Sequence, residues 1–149
     1  MSVNKWLSKW LLVVLILSVS FPAFARNTQY MLRYRDAVGT SEAKEKLGSD
    51  IQFFFGEQKY PAVEREIGTW VANKKTNAAN KSDERACQWA FLSAMLSLKQ
   101  RAIREGGDAV VKIHSYYKKN TNTSATEFEC GAGTFVAGVA LRGTVVKLK

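Results

Sequence analysis

The chain holds two cysteines, Cys87 and Cys130, and a single histidine, His114. A thiol beside an imidazole is the minimal nucleophilic pair, in which the ring takes the proton and the thiolate attacks. Two thiols can instead cycle as a redox couple, hold a metal, or simply bridge. Zinc needs about four ligands, usually in paired spacings such as CxxC. One histidine, no CxxC and no clustered carboxylates argue against any metal or cofactor. The glycines at Gly131-Ala132-Gly133 lack the GKS or GKT ending of a phosphate loop and sit between strands, which excludes nucleotide hydrolysis. Choosing between a reactive thiol and a bridge then depends on the compartment and on the elements that carry the sulfurs.

The compartment is legible at the N-terminus. Lys5 and Lys9 give a positive start, Trp10 to Val19 is almost purely apolar, Pro22 breaks the run, and Ala23-Phe24-Ala25 has the small-x-small form of a cleavage site. The apolar run falls short of the roughly 20 residues a bilayer span requires. Residues 1–25 therefore read as a secretory leader cleaved after Ala25, with no cysteine following to carry a lipid anchor. The expected location is the periplasm, with no stable membrane span after processing. Losing the leader's two lysines takes the formal charge from +9 to +7, which favours an anionic neighbour. In an exported chain an even cysteine count signals a disulfide. Closing a loop of this length is worth roughly 3–4 kcal/mol on the chain-entropy argument.

The elements that must position these residues follow from periodicity and punctuation. Residues 26–48 read as an extended arm carrying a short helix that opens at Thr40-Ser41-Glu42 and stops at Leu47-Gly48. Residues 49–149 read as the folded domain. Strands are expected at Ile51 to Phe55, Val63 to Asn73, Ala109 to Tyr117, Thr126 to Cys130 and Val139 to Leu148, with Lys74 to Lys81 and Lys118 to Ala125 as polar loops. Glycines between Gly131 and Gly138 suggest a bulge or tight bend. Ser82 to Glu105 is the long helix, with Ser82 as N-cap, Asp83 and Glu84 in its positive first turn, and Gly106-Gly107 at its end. The order β-β-α-β-β-β implies an α+β fold: an antiparallel sheet of about five strands, one long helix on one face, and one disulfide.

On that helix Cys87, Phe91, Ala94, Met95, Leu98 and Ala102 fall within roughly 100° of arc at the 3.6-residue period. On the fourth strand Phe128 and Cys130 share a face opposite Glu127 and Glu129. Both cysteines are thus placed on the helix–sheet interface, which favours the bridge. On the third strand Ala109, Val111 and Ile113 point one way and Lys112, His114 and Tyr116 the other. If the third and fourth strands form a hairpin, Lys112 and His114 lie beside Glu127 and Glu129 on the open face. A second helix patch (Trp89, Leu92, Leu96, Ile103) needs cover, either from the arm with the Phe53–Phe55 region or from a partner. The aromatic residues of the arm favour the first.

The residues left for binding are basic: Lys74, Lys75, Lys81, Lys112, Lys118 and Lys119, with His114 and Tyr116. Interleaved lysines and aromatics can grip a phosphate chain, but export turns that chemistry toward an envelope protein or an anionic envelope polymer. Charge runs in loops are otherwise solvated surface.

The blocks TNAANKSDERACQWAFLSAM (Thr76 to Met95), GGDAVVKIHSYYKKN (Gly106 to Asn120) and EFECGAGTFVAGVALRGTVVKL (Glu127 to Leu148) resemble a family of small exported bacterial proteins often labelled "excinuclease ATPase subunit". The resemblance runs from about Ser49 to the C-terminus. The chain has neither a phosphate loop nor an ABC signature, so excinuclease or ATPase activity is not supported. The helix and Asp-Ala-Val-Val strand resemble more distantly the YbjQ-like proteins described as heavy-metal-binding. They are similar too to the outer-membrane stress-sensor lipoprotein of the Rcs phosphorelay. The latter implies a helix-on-sheet plan tied by disulfides, though this chain lacks its lipid-anchor cysteine, its Pro-rich linker and its second cysteine pair. The expected role is a non-enzymatic periplasmic interaction or envelope-stress-related binding module. The alternatives are a redox or other enzyme using Cys87 and Cys130, or a polyanion- or nucleic-acid-binding protein, of which export disfavours the nucleic-acid form.

Overall fold

The computed structural model describes residues 25–149; the leader expected at 1–25 lies, apart from Ala25, outside the described residues. In chain order the elements are β1 (Thr28–Arg33), α1 (Tyr34–Val38), α2 (Ser41–Leu47), β2 (Gln52–Phe55), β3 (Val63–Asn77), α3 (Asp83–Arg104), β4 (Ala109–Ser115), a 3-10 turn (Tyr117–Lys119), β5 (Glu127–Ala132) and β6 (Val136–Leu148).

The long helix starts and stops where its sequence says. The Ser82 hydroxyl accepts from the Arg85 amide at 3.2 Å, satisfying one of the orphan donors of the first turn. At the far end Gly106 takes φ 74°. The Gly107 amide returns to the Ala102 carbonyl at 2.8 Å and the Gly106 amide to that of Ile103 at 3.1 Å, the paired bonds of a Schellman stop. The short α2 also begins as read, with the Thr40 hydroxyl accepting from Ala43 at 3.1 Å.

The fold is α+β, with α3 on one face of a curled sheet, but the sheet is mixed and has six strands. Its order is β1-β5-β6-β4-β2, with β3 also on β6. The arm is not merely laid on the domain: β1 pairs antiparallel with β5, Tyr30 opposite Cys130 and Leu32 opposite Phe128. Strand β2 runs parallel to β4, because the chain crosses over through β3 and α3 between them. Strand β3 pairs with β6 from Val63 to Asn77, so Lys74 and Lys75 belong to a strand rather than a loop. The expected hairpin of the third and fourth strands does not form. With β3 along one edge of β6, both strands pair instead with its other edge, end to end: β5 at Ala137 and Gly138, β4 from Leu141 to Val146. Glu127 therefore faces Arg33 across β1, and the Glu129 carboxylate accepts from Gln29 at 3.0 Å, neither of them beside Lys112.

Strand β4 also breaks its own alternation. Lys112 has φ 53° and the ladder slips between Val111 and His114, a β-bulge. Val110 and Ile113 consequently enter the helix-side core, while Ala109 and Val111 join Val146 in a second cluster under Phe54, Tyr60, Val63 and Leu148. The expected grouping of Val111 with Ile113 is corrected by that extra residue. The strand ends at Ser115 rather than Tyr117.

The core is a stack of aromatics running from the arm to the sheet. Tyr34 lies on Phe55 at 3.9 Å between ring centroids, Phe55 on Phe91 at 6.1 Å and Phe91 on Phe128 at 4.2 Å. Cys87 and Cys130 are bridged beside this stack, Cα atoms 5.8 Å apart, with no exposed surface on either. The helices α1 and α2 pack on α3. They bury Leu92 and leave Trp89 and Leu96 half-covered; Ile103 stays exposed. Among the described residues no helix is long and apolar enough to cross a membrane.

Candidate functional site

Residues directly opposite each other on paired strands share a face. Gln29, Gly131, Gly138 and Lys75 form one row across β1, β5, β6 and β3. Cys130 points to the helix, so its neighbour Gly131, and with it the whole row, points away. Two adjacent glycines leave a dip in the open face. Tyr117 lies in it so closely that a Cβ on Gly131 would overlap the Tyr117 hydroxyl. Gly131 and Gly138 are thus regular strand residues, and the expected bend is confined to the turn between β5 and β6.

Beside Tyr117 the dip widens into a cleft of about 810 Å³, within the usual range of ligand pockets. Asn73 and Lys75 of β3 form one wall, Thr134 and Phe135 of the β5–β6 turn with Val136 of β6 another, and Arg26 and Asn27 the entrance. Lys118 closes the remaining side, its Nζ 5.5 Å from the Tyr117 ring centroid, where the electron-rich ring face attracts a cation. Both Lys118 (φ 50°) and Lys119 (φ 65°) hold the left-handed conformation, which costs energy for side chains bearing a Cβ. Among the described residues neither Lys75 nor Lys118 pairs with a carboxylate.

Arg26 is committed elsewhere. Its guanidinium meets both Asp83 carboxylate oxygens at 2.6 and 2.8 Å and the Gly133 carbonyl at 2.8 Å. Tyr30 adds its hydroxyl to Asp83 at 2.7 Å. The Arg26 hydrogen bond first, and that of Tyr30 second, hold the Asp83 carboxyl down at about 2. The entrance is therefore fixed to the start of α3 by a charge-assisted bidentate pair.

A second polar strip continues along the same face. Arg142 lies opposite His114 and its guanidinium carbon is 5.5 Å from the Tyr116 ring centroid. The His114 Nδ1–H donates to the Lys112 carbonyl at 2.8 Å, since a carbonyl can only accept. Its Nε2 is buried without a partner.

Of the residues singled out from the sequence, Lys75 and Lys118 line the cleft, with Lys119 exposed on the same turn. His114 and Tyr116 stand further along the face, and Lys112 reaches His114 through its carbonyl. Lys74 lies opposite Val139, a helix-side core residue, and so sits on the other face. Lys81 turns back onto the Asn77 carbonyl at 3.1 Å. Asn27, Asn73, Arg142 and the Gly131–Gly138 pair were not legible as site residues, because only the strand order brings them together. The pairing of two glycines across a hairpin was the one signal that could have found them. Among the described residues no three His, Cys, Asp or Glu side chains cluster as a metal site would require.

No family model matches the chain, and no curated protein matches it. Among solved structures, a protein of unknown function assigned to the DUF74 family from Pediococcus pentosaceus ATCC 25745 is similar at 17% identity. The match has a TM-score of 0.44 and covers 66% of this chain and 98% of that one.

Proposed function

We propose that the protein is a non-enzymatic binding module of the extracytoplasmic space that takes an anionic envelope polymer in the cleft of its open sheet face. The observation that carries the reading is the placement of Lys75 and Lys118, neither of which meets a carboxylate among the described residues, on opposite sides of a glycine-floored cleft lined by asparagine amides. Exposed cations that are not spent on internal partners attract polyanions over a Debye length of about 10 Å at 0.1 M salt. Amide groups then supply donors for sugar hydroxyls or backbone carbonyls.

The buried disulfide supports an oxidising location, where such bridges persist. It also weighs against thiol chemistry, since a nucleophilic or redox-active cysteine needs a free, accessible sulfur. His114 is no closer to that role: its Nδ1–H is held by a backbone carbonyl on the open face, while the sulfurs lie on the helix side.

The test is charge reversal at the two lysines. The double variant K75E/K118E is expected to lose at least tenfold in affinity for an anionic glycan such as polygalacturonate, with an unchanged melting temperature. Full retention of binding defeats the reading. Retention of glycan binding in K75E/K118E but loss in K74E/K81E would move the site to the opposite face.

A further inference from the structure

On the helix side of the sheet, away from the glycine-floored cleft, the arm roofs a second cavity of about 440 Å³. We propose that this cavity binds a free fatty carboxylate, tail inward. The inference stands independently of the polyanion reading, because it uses a different face and no shared residue.

The inner wall is hydrocarbon: Leu47 from α2, Phe53 and Phe55 from β2, and Met95 from α3. Leu47, Phe55 and Met95 are buried core residues, so the floor is part of the rigid fold. Burial of an alkyl chain against such a wall is the main source of affinity available to a small amphiphile. The acceptors inside are already engaged. Gln58 donates through its side-chain nitrogen to the Tyr34 hydroxyl and accepts the Phe55 amide through its oxygen at 2.8 Å. A tail entering the cavity therefore strands no buried acceptor.

One donor is left over. Tyr34 is only 5% exposed; its oxygen accepts from Gln58, and its own hydrogen meets no acceptor among the described residues. At the rim stand Arg35 and Lys44, neither paired with a carboxylate among the described residues, and no acidic side chain lines the cavity. A hydrocarbon inner wall formed by Leu47, Phe53, Phe55 and Met95, with two cations at the rim that meet no carboxylate among the described residues, matches a ligand that is hydrocarbon at one end and anionic at the other. A neutral lipid leaves the cations without a function, and a cationic amphiphile is repelled by them.

The methionines provide the readout. Met95 lines this cavity and is fully buried, whereas Met31 is 41% exposed on β1 and belongs to neither site. Decanoate, titrated below its micelle concentration into protein carrying ¹³C-methyl methionine, should shift the Met95 methyl saturably and leave Met31 in place. The variant R35E/K44E, both of whose positions are exposed, should weaken decanoate at least tenfold, and decanol should bind at least tenfold more weakly than decanoate. The variant V38W, which fills the mouth while keeping both cations, should abolish the Met95 shift. Saturating polygalacturonate should not displace decanoate. The proposal is overturned by an unmoved Met95 methyl, by equal affinity for decanol, or by R35E/K44E binding as tightly as the parent. It is equally overturned if phosphatidylglycerol vesicles move Met95 as strongly as decanoate, which would identify a membrane surface as the occupant.

Discussion

Asp83, the first residue of the long helix, receives both terminal nitrogens of Arg26 at 2.6 and 2.8 Å. The pair ties the beginning of the folded chain to the helix that carries the disulfide. Asp83 ionises at about 2 in the fold and near 3.9 in an unfolded chain. Its contribution to stability is therefore complete above about pH 4 and is lost as the pH falls toward 2. The substitution Asp83→Asn should lower the melting temperature at pH 6 and leave it nearly unchanged at pH 2. Melting curves across that interval, with the variant giving the flatter profile, are the check.

The bridge between Cys87 and Cys130 closes a loop with a sequence separation of 43 residues. Replacing both cysteines with serine should cost roughly 3–4 kcal/mol on the loop-entropy argument. In the native parent a maleimide should label neither sulfur before unfolding, because both are fully buried. Denaturant titration of parent and variant measures the first expectation, and mass spectrometry after labelling measures the second.

Gly131 is small because Tyr117 lies on it. The substitution Gly131→Ala should force the ring out of the dip and destabilise the fold by about 1–2 kcal/mol, in the range of overpacking costs. In a Tyr117→Ala background the same substitution should cost much less. A double-mutant cycle by urea denaturation reads the coupling directly; additive costs would show that the ring is not the obstacle.

Lys112 holds φ 53° at the β4 bulge. A β-branched residue tolerates that conformation worse than lysine, and glycine tolerates it best. Lys112→Val should destabilise by about 1–2 kcal/mol, and Lys112→Gly should lie within about 1 kcal/mol of the parent, since relief of strain offsets the added freedom of the unfolded chain. Urea midpoints of the three proteins decide the order.

The long helix and the disulfide were legible because each depends on a local pattern. The 3.6-residue stripe of Cys87, Phe91 and Leu98 and the two-residue alternation of Phe128 and Cys130 both survive in the fold. The strand order was not legible, because it is decided by pairings far apart in sequence, such as Asn77 with Val136 or Ala109 with Val146. Strand β1 hides its alternation: Tyr30 and Leu32 turn inward, but the exposed Met31 between them is also apolar. The bulge at Lys112 cannot be seen in AVVKIHS, since nothing there except a tertiary pairing asks for a left-handed lysine. The cleft inherits this blindness. Its lysines stand out as charges, while the strands that set Lys75 in a row with Gly138 and Gly131 do not.

The central claim is that the open sheet face, at the Gly131–Gly138 pair, receives an anionic chain. The direct measurement is a ¹⁵N–¹H titration of the protein with polygalacturonate at low salt, repeated at higher salt. The account predicts saturable shifts of the Gly131, Gly138 and Tyr117 amides that weaken as salt screens Lys75 and Lys118, with the Gly106 and Gly107 amides at the far end of α3 unmoved. Shifts centred on Gly106 and Gly107, or none anywhere at millimolar uronate, would contradict it.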